Sequence, residues 1–342
     1  MPVSNTLTDT GSRDARGHWH PARPIGFSPL FAWPPRPLAT LRWLVGMPGF
    51  LWPMNALWLG LACASWAWLT PPLEAMAQVE PGWVATLLLR NLLLVGLLFG
   101  GLHLHLHVWR RQGQRLKFSL RPLARGDRRF WFGDQVRDNM ARTLLVGVPT
   151  ITLYEASTWW LWANGHVPGL GAVLGLDPQA DAVAYWTGVA LMLLLAPFIH
   201  AVHFYFVHRL LHWRPLYRTV HGVHHLNVEV GPWSGLAMHP VEQLLYFSTV
   251  VVQWLLALHP VNALFQIFIA AFSPALGHSG FEKLMLGSRL GVDSGNHFHY
   301  LHHRYFDCNY GGSLVPLDRV FGSFHDGSAA AHEAMRKRRS SG

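Results

Sequence analysis

Histidines at short, regular spacings are the residues of this 342-residue chain that are best suited to carry chemistry. The segments HRLLH (208–212), HGVHH (221–225) and HYLHH (299–303) occur in this order, and His278 lies between the second and the third. One or two imidazoles suffice for general acid–base catalysis. Eight imidazoles in three such segments would repel one another or stay unsatisfied without a shared cation, so the pattern predicts a metal site.

The number of histidines predicts two metal ions rather than one. The candidate ligands are His208, His212, His221, His224, His225, His278, His299, His302 and His303. Structural zinc takes four ligands and catalytic zinc takes three and a water, so nine nitrogen donors suit two ions with four or five imidazoles each. Imidazole binds iron, copper, nickel and zinc, which leaves the metal open. The chain has no HExxH segment of the zinc metalloproteases and no Glu-x-x-His pair of the soluble carboxylate-bridged di-iron proteins.

The composition indicates that this site belongs to an integral membrane protein. Hydrophobic residues make up 51% of the chain and charged residues only 13%, about half the usual share of a soluble domain. Four stretches approach the ~20 apolar residues that a membrane-spanning helix needs. They are 50–69, 84–109, 142–163 and 182–206. A fifth apolar region, 241–277, is interrupted by His259-Pro260, which predicts a hairpin of two short helices.

The loop charges orient these helices. Residues 110–142 contain ten basic residues, whereas 70–82 and 164–181 contain none. The ten are Arg110, Arg111, Arg115, Lys117, Arg121, Arg125, Arg128, Arg129, Arg137 and Arg142. Basic loops stay in the cytoplasm, which places the histidine segments from His208 onward on that side. The predicted fold is therefore an all-α integral membrane protein with four transmembrane helices, a helical hairpin and a cytoplasmic histidine-rich di-metal cap.

Four regions follow from these assignments. Residues 1–45 are predicted to be a flexible N-terminal tail without a signal peptide, and 46–190 a transmembrane region that includes the basic loop. Residues 191–327 would hold the site, and 328–342 would form a basic C-terminal tail. The net charge of +9 lies in clusters beside apolar stretches, which favours anionic membrane lipid over nucleic acid as the partner. Cys63 and Cys308 suggest neither a disulfide framework nor a CxxC zinc site.

The histidine segments, the intervening GPWSGLAMHPVEQLLY and the closing RYFDCNYGGSLVPLDRVFGSFHDG resemble the fatty acid hydroxylase/sterol desaturase superfamily over about residues 195–327. The resemblance implies a membrane-bound, non-haem di-iron oxygenase that uses O2 and two external electrons to hydroxylate or desaturate a lipid. It also implies that residues 191–327 are the catalytic domain. The three histidine segments and His278 would then be the ligands of two iron ions. Overexpression could load zinc at these imidazoles instead.

Other polar residues are open to more than one interpretation. Some members of the superfamily have a further histidine where this chain has Glu282, which could be a ligand, a hydrogen-bond acceptor for a ligand, or a surface charge; the second is favoured. His239 could equally be a metal ligand or a residue that contacts and orients a metal ligand. We interpret four further histidines as interfacial: His103, His107, His200 and His203. Four residues could orient the third histidine segment through hydrogen bonds: Asn309, Tyr310, Asp318 and Arg319.

Electrons would come from a separate donor, a ferredoxin or a cytochrome b5 with its reductase, because no haem domain fits into residues 1–45. The substrate remains open among sterols, fatty acyl chains, sphingolipids and aminolipids. Two other functions compete with an oxygenase. A bis-histidine haem electron carrier could use His200 and His103, but that leaves the three histidine segments unexplained. A metal transporter would distribute histidines across the membrane, whereas these histidines collect on one side.

Overall fold

The computed structural model describes residues 11–22, 25–167, 169–287, 290–294 and 296–340, which are mainly helical. The first helices are α1 (Pro37–Val45), α2 (Ala56–Trp68), α3 (Pro81–His103), α4 (Gln135–Arg142), α5 (Val148–Ala163) and α6 (Gly169–Val173). They are followed by α7 (Ala182–Leu211), α8 (Arg214–Thr219), α9 (Pro240–Phe247), α10 (Thr249–Leu256) and α11 (Pro260–Gly277). The last are α12 (His297–Tyr305), α13 (Leu317–Val320) and α14 (Ala329–Ser340). π-helical turns at Leu51–Asn55, Leu104–Val108 and Thr143–Gly147 adjoin α2, α3 and α5.

Two short antiparallel hairpins accompany the helices. Strand β1 (Ser12–Arg13) pairs with β2 (Trp19–His20), so that Ser12 faces His20. Strand β3 (Lys283–Leu286) pairs with β4 (Leu290–Asp293), with Lys283 opposite Asp293. The second hairpin follows directly on α11 and leads into α12, so it connects two histidine-bearing elements.

Three helices among the described residues are long and apolar enough to cross a membrane: Pro81–Val108, Ala182–Leu211 and Pro260–Gly277. The first two coincide with predicted spans, and the third is the second arm of the predicted hairpin. The predicted spans 50–69 and 142–163 are helical but are not among the three. A mainly helical chain with three candidate membrane spans among its described residues is confirmed, whereas the count of four spans and a hairpin is not.

The core is built around α11. In its most apolar window 83% of the residues are buried, against 28% for α3 and 22% for α7. Helices α2, α3 and α7 pack around it, which leaves the outer faces of α3 and α7 for lipid. The predicted break before α11 is present, because α10 ends at Leu256 and α11 begins at Pro260. His259 caps the new helix, and its Nδ1 accepts the backbone N–H of Val261 at 3.2 Å.

The N-terminal region differs from the flexible tail predicted from composition. Trp19, on β2, is buried, and its backbone N–H donates to the carbonyl of Phe118 at 2.7 Å. His18 Nδ1 lies 2.5 Å from the hydroxyl of Tyr300 on α12. Burial of an aromatic side chain and pairing of backbone groups offset the entropy lost on ordering, so this part of the chain packs against the cap.

A buried ion pair fixes α3 against α5. Arg90 on α3 contacts the carboxylate of Glu155 on α5, and both side chains are buried. Asn91 donates to Glu155 Oε2 at 2.9 Å, and the Trp159 indole donates to Oε1 at 3.0 Å. A charge in an apolar interior persists only where it is paired and hydrogen-bonded, and this network meets both conditions.

We expect Glu155→Leu to lower the stability of the folded chain, because it leaves the Arg90 guanidinium buried without a counter-charge. Loss of one partner of a buried pair costs about 3–5 kcal/mol. The midpoint of thermal unfolding in detergent measures the effect. The double variant Arg90→Leu/Glu155→Leu, which removes both charges, should recover most of the loss. A single variant as stable as the wild type would contradict the structural role of the pair.

Candidate metal centre

Four elements bring histidines together at the end of α7. His208 lies in its last turn, and His212 is its C-terminal cap. A 3-10 turn, His221–Leu226, provides the second set. His278 caps α11, and α12 provides the third set. All nine histidines predicted from the sequence therefore converge on one region.

The histidines form two groups. The ligand nitrogens within each group lie within 4.8 Å of one another. The first group is His208, His212, His221, His225 and His302. The second group is His224, His278, His299 and His303. The division into five and four agrees with the predicted division of nitrogen donors between two ions. Their role as ligands remains a prediction.

Ring nitrogens approach one another closely in both groups. In the first group, His212 Nε2 lies 3.1 Å from His225 Nε2 and 3.1 Å from His302 Nε2. In the second group, His278 Nε2 lies 2.9 Å from His299 Nε2 and 3.2 Å from His303 Nε2. Most of these rings are completely or almost completely buried.

In each imidazole, the hydrogen bond of the nitrogen that faces away from the group determines which nitrogen carries the proton. His208 Nδ1 donates to the carbonyl of Tyr310 at 2.7 Å, and His302 Nδ1 donates to the carbonyl of Cys308 at 2.7 Å. A carbonyl oxygen can only accept, so the proton is on Nδ1 and the Nε2 lone pair points into the group. Burial lowers the pKa of His221 to about 3 and that of His224 to about 4, which keeps these rings neutral at physiological pH.

This arrangement fits a bound cation in each group. Unprotonated nitrogens that face one another at about 3 Å repel unless a positive charge lies between them. Two nitrogens bound to one ion at ~2.1 Å are themselves about 3.0–3.4 Å apart for bond angles near 90–109°. The closest Nε2 pairs, at 2.9 to 3.3 Å, have this separation. Neutral imidazoles suit iron, copper, nickel and zinc, so the donor set fits iron without selecting it.

Glu242, which the sequence analysis missed, supports the first group. The residue lies in the first turn of α9 and is buried, and its Oε1 accepts from His221 Nδ1 at 2.7 Å. A carboxylate behind a metal-binding histidine fixes the ring orientation and makes the other nitrogen a better donor. Its position in the HPVE stretch was the only sequence signal, and acidic residues are common in the first turn of any helix.

A loop after α12 holds the carbonyls that accept from the ligand rings. Asp318 accepts from the backbone N–H of Tyr310 at 2.8 Å and of Gly311 at 2.7 Å. Asn309 Nδ2 donates to the carbonyls of Phe298 and His325. Asn309 therefore makes the expected hydrogen bond next to the third segment. Tyr310, held by Asp318, instead accepts from His208 of the first segment. Arg319 instead lies over the ring of Phe27, with 4.6 Å between its guanidinium carbon and the ring centroid.

The basic loop positions the second histidine segment through α4. Gln135 and Asn139 both donate to the side-chain oxygen of Asn227, at 2.8 and 2.7 Å. Asn227 in turn donates to the carbonyl of His224 at 3.1 Å. These three buried amides were not identified from the sequence, because contacts across about 90 residues leave no local pattern.

His239 and Glu282 belong to neither histidine group. His239 caps α9, with Nδ1 accepting from the N–H of Val241 at 3.2 Å. Glu282 is buried rather than a surface charge, and its Oε2 has no hydrogen-bond partner. Two of the four histidines interpreted as interfacial have close hydrogen-bond partners of their own: His107 Nε2 meets the Ser279 carbonyl at 2.9 Å, and His203 Nε2 meets Ser248 Oγ at 2.8 Å.

A cavity of about 750 Å³ lies beside both histidine groups. His208 and His221 line it from the first group, and His224, His278 and His299 line it from the second. Apolar side chains form the wall towards the predicted membrane region: Trp43, Phe50, Met54, Pro197 and Phe204. A ligand of substantial size and low polarity can therefore reach both groups at once.

Residues 193–323 match the sequence model of the fatty acid hydroxylase family. The chain is 30% identical over 185 residues to a Delta(7)-sterol 5(6)-desaturase of Candida glabrata, which covers 52% of this chain and 46% of that protein. It is 34% identical over 149 residues to a methylsterol monooxygenase of Aspergillus fumigatus, covering 40% and 45%. A methylsterol monooxygenase of Arabidopsis thaliana is 30% identical over 143 residues, covering 40% and 54%.

The chain thus spans about half the length of the curated relatives that it matches. No solved structure matches it. These similarities confirm the resemblance inferred from the histidine segments, and the family match lies within the region predicted for it.

Adjacent residues on α12 allow the two groups to be tested separately. His302→Ala should weaken metal binding by the first group and His303→Ala by the second, because each removes one nitrogen donor. We expect the wild type to bind about two ions per chain and each variant to bind fewer. Elemental analysis of purified protein after dialysis provides the measurement. His239→Ala, which alters a histidine outside both groups, is the control. One ion or fewer in the folded wild type would contradict a two-metal centre.

Proposed function

We propose that this chain, whose residues 193–323 match the fatty acid hydroxylase family model, is a membrane-bound non-haem di-iron oxygenase that hydroxylates or desaturates a lipid. The observation that carries the proposal is the cavity that both histidine groups line together with apolar side chains. The named relatives act on sterols, so sterol-like lipids are the first substrates to test.

The nine histidines would hold two iron ions, five donors in the first group and four in the second. Iron there would supply the activation of O2 by external electrons, a chemistry that no amino-acid side chain provides. Glu242 and the carbonyls of Cys308 and Tyr310 keep the distal ring nitrogens hydrogen-bonded. These contacts hold His221, His302 and His208 in orientations that direct Nε2 inward.

The apolar side chains of the cavity would bind the apolar substrate and exclude water. Phe204 contacts His208 and His299, with ring centroids 4.9 and 6.3 Å away, and so places a hydrocarbon surface beside both groups. Phe50 continues this surface and contacts Phe198 on α7 at 5.3 Å. An apolar substrate can lie against these rings, and its presence excludes water from the reacting carbon.

Electrons would reach the site from the cytoplasm through a ferredoxin or a cytochrome b5 with its reductase. His212 is the partly exposed member of the first group. Arg214 and Arg218 are exposed on the neighbouring α8. A basic surface next to a partly exposed ligand suits an acidic redox protein, since opposite charges increase the rate of association.

We expect His224→Ala and His302→Ala each to abolish lipid oxidation, because each removes a donor from one of the two groups. Membrane insertion should be unaffected, since the spanning helices do not depend on these rings. Mass spectrometry of lipids from cells that express wild-type or variant protein detects the oxidised product. His239→Ala is the matched control outside both groups. Near wild-type turnover in either ligand variant would remove its group from the proposed reaction centre.

The sidedness of the site can be tested independently of activity. We expect Ala172→Cys to react with an impermeant thiol reagent on intact cells, and Ser328→Cys to react only after lysis. The basic loop places 110–142 and 278–342 in the cytoplasm and 164–181 outside. Both positions are exposed, and the background should lack Cys63 and Cys308. Labelling of Ser328→Cys in intact cells would contradict the cytoplasmic site.

A further inference from the structure

Part of the cavity wall is polar. Four of its polar residues come from β3, β4 and the adjoining residues: Glu282, Lys283, Asp293 and Asn296. They lie near the second histidine group, because Asn296 donates to the carbonyl of Leu276, two residues before His278. A molecule in the cavity therefore meets polar groups as well as hydrocarbon.

Only one of these four side chains has an oxygen that is buried and unsatisfied. Lys283 Nζ pairs with Asp293 Oδ1 at 3.1 Å, and the Asn296 amide nitrogen is used by Leu276. Glu282 is 9% exposed, and its Oε2 has no hydrogen-bond partner. A buried oxygen without a partner is costly, so its retention at a cavity wall points to a ligand that supplies the missing donor.

The backbone holds Glu282 at this position from both sides. Its N–H donates to the carbonyl of Leu116 at 2.9 Å, and its own carbonyl accepts from the N–H of Ser294 at 2.9 Å. Ser294 Oγ donates to the same carbonyl at 2.9 Å. The backbone of Glu282 is therefore anchored at the cavity wall.

Aromatic side chains line another part of the same cavity. Phe50 packs against Phe198 of α7, and Phe204 of α7 reaches the histidine groups. Glu282 and both histidine groups also line this cavity. An amphipathic lipid could therefore contact α7 with its hydrocarbon part and Glu282 with its head.

We propose that Glu282 binds the hydroxyl group of an amphipathic lipid and thereby fixes which carbon of that lipid lies beside the histidine groups. The binding part of this inference concerns the cavity alone, and its consequence for the position of oxidation rests on the proposed function. A hydroxyl both donates to and accepts from a carboxyl group, and it brings no second charge into a buried site.

The electrostatics of the site agree with a neutral partner. Burial, together with the negative charge of Asp293, raises the pKa of Glu282 to about 8. The carboxyl is then largely protonated at neutral pH, so it can donate one hydrogen bond and accept another. Lys283 already has Asp293 as its counter-ion, which leaves Glu282 to the ligand.

The test compares the binding of a free hydroxyl with that of its methyl ether. The purified full-length protein in lipid nanodiscs, loaded with zinc so that no oxidation occurs, is titrated with a fluorescent sterol or its methyl ether. A long-chain alcohol and its methyl ether form a second pair of probes. We expect the wild type to bind the hydroxylated member of at least one pair roughly five- to tenfold more tightly, as one net hydrogen bond allows.

Three variants identify the group responsible for this preference. Glu282→Leu should bind both members of the pair equally, because it cannot form a hydrogen bond. Glu282→Gln should keep most of the preference, since an amide also donates and accepts. Glu333→Leu is the control: it removes an exposed carboxylate that pairs with Lys337 and does not line the cavity, and it should keep the preference.

Several results would overturn the inference. One is a wild type without preference in either pair, and another is a Glu282→Leu variant that keeps the preference. Equal loss of the preference in Glu282→Leu and Glu282→Gln would contradict recognition by a neutral group that donates and accepts. Loss of bound metal in these variants would make Glu282 a ligand instead. If the preference and its dependence on Glu282 hold but iron-loaded protein oxidises no lipid, the proposed function fails and the binding inference stands.

Discussion

The inward-facing lone pairs of the histidine rings are the constraint on which the rest of the cap depends. Nine imidazoles with closest ring nitrogens about 3 Å apart fit around positive charge. Such an arrangement requires that the rings do not turn away. Acceptors behind three of the rings meet this requirement: Glu242 behind His221, and the carbonyls of Tyr310 and Cys308 behind His208 and His302. Part of the polar structure outside the groups therefore holds ring orientation.

The sequence predicted the parts of the site that are encoded locally. Histidines three and four residues apart lie on one face of a helix, so the three segments could be recognised by spacing alone. The assignment of each histidine to one of the two groups could not be predicted from spacing, since His302 and His303 are adjacent yet belong to different groups. Glu242 and Asn227 were missed for a similar reason. Their roles depend on contacts with residues that are distant in the sequence, and single acidic or amide residues have no distinguishing pattern.

The helices show the same limit. His259-Pro260 predicted the start of α11 correctly, because proline constrains the backbone of its immediate neighbours. Apolar length did not distinguish a helix that faces lipid from one enclosed by other helices. Helix α11 is long and apolar enough to span a membrane, yet other helices enclose it. Helix α5 was predicted to be a span, yet it carries the buried Glu155 that pairs with Arg90. A hydropathy pattern measures how apolar a segment is and contains no information about which neighbours surround it.

The enclosure of α11 has a consequence for the biosynthesis of the protein. Ribosomes make the chain from its N-terminus, so α2, α3 and α7 are complete before α11 emerges. Those helices then form an incomplete bundle whose central position is still vacant, and the arrival of α11 completes it. His278 caps this helix, so the same event that closes the bundle delivers a donor to the second histidine group. Assembly of the histidine groups is thereby tied to the insertion of α11, and a chain arrested before that step has only part of the histidine set.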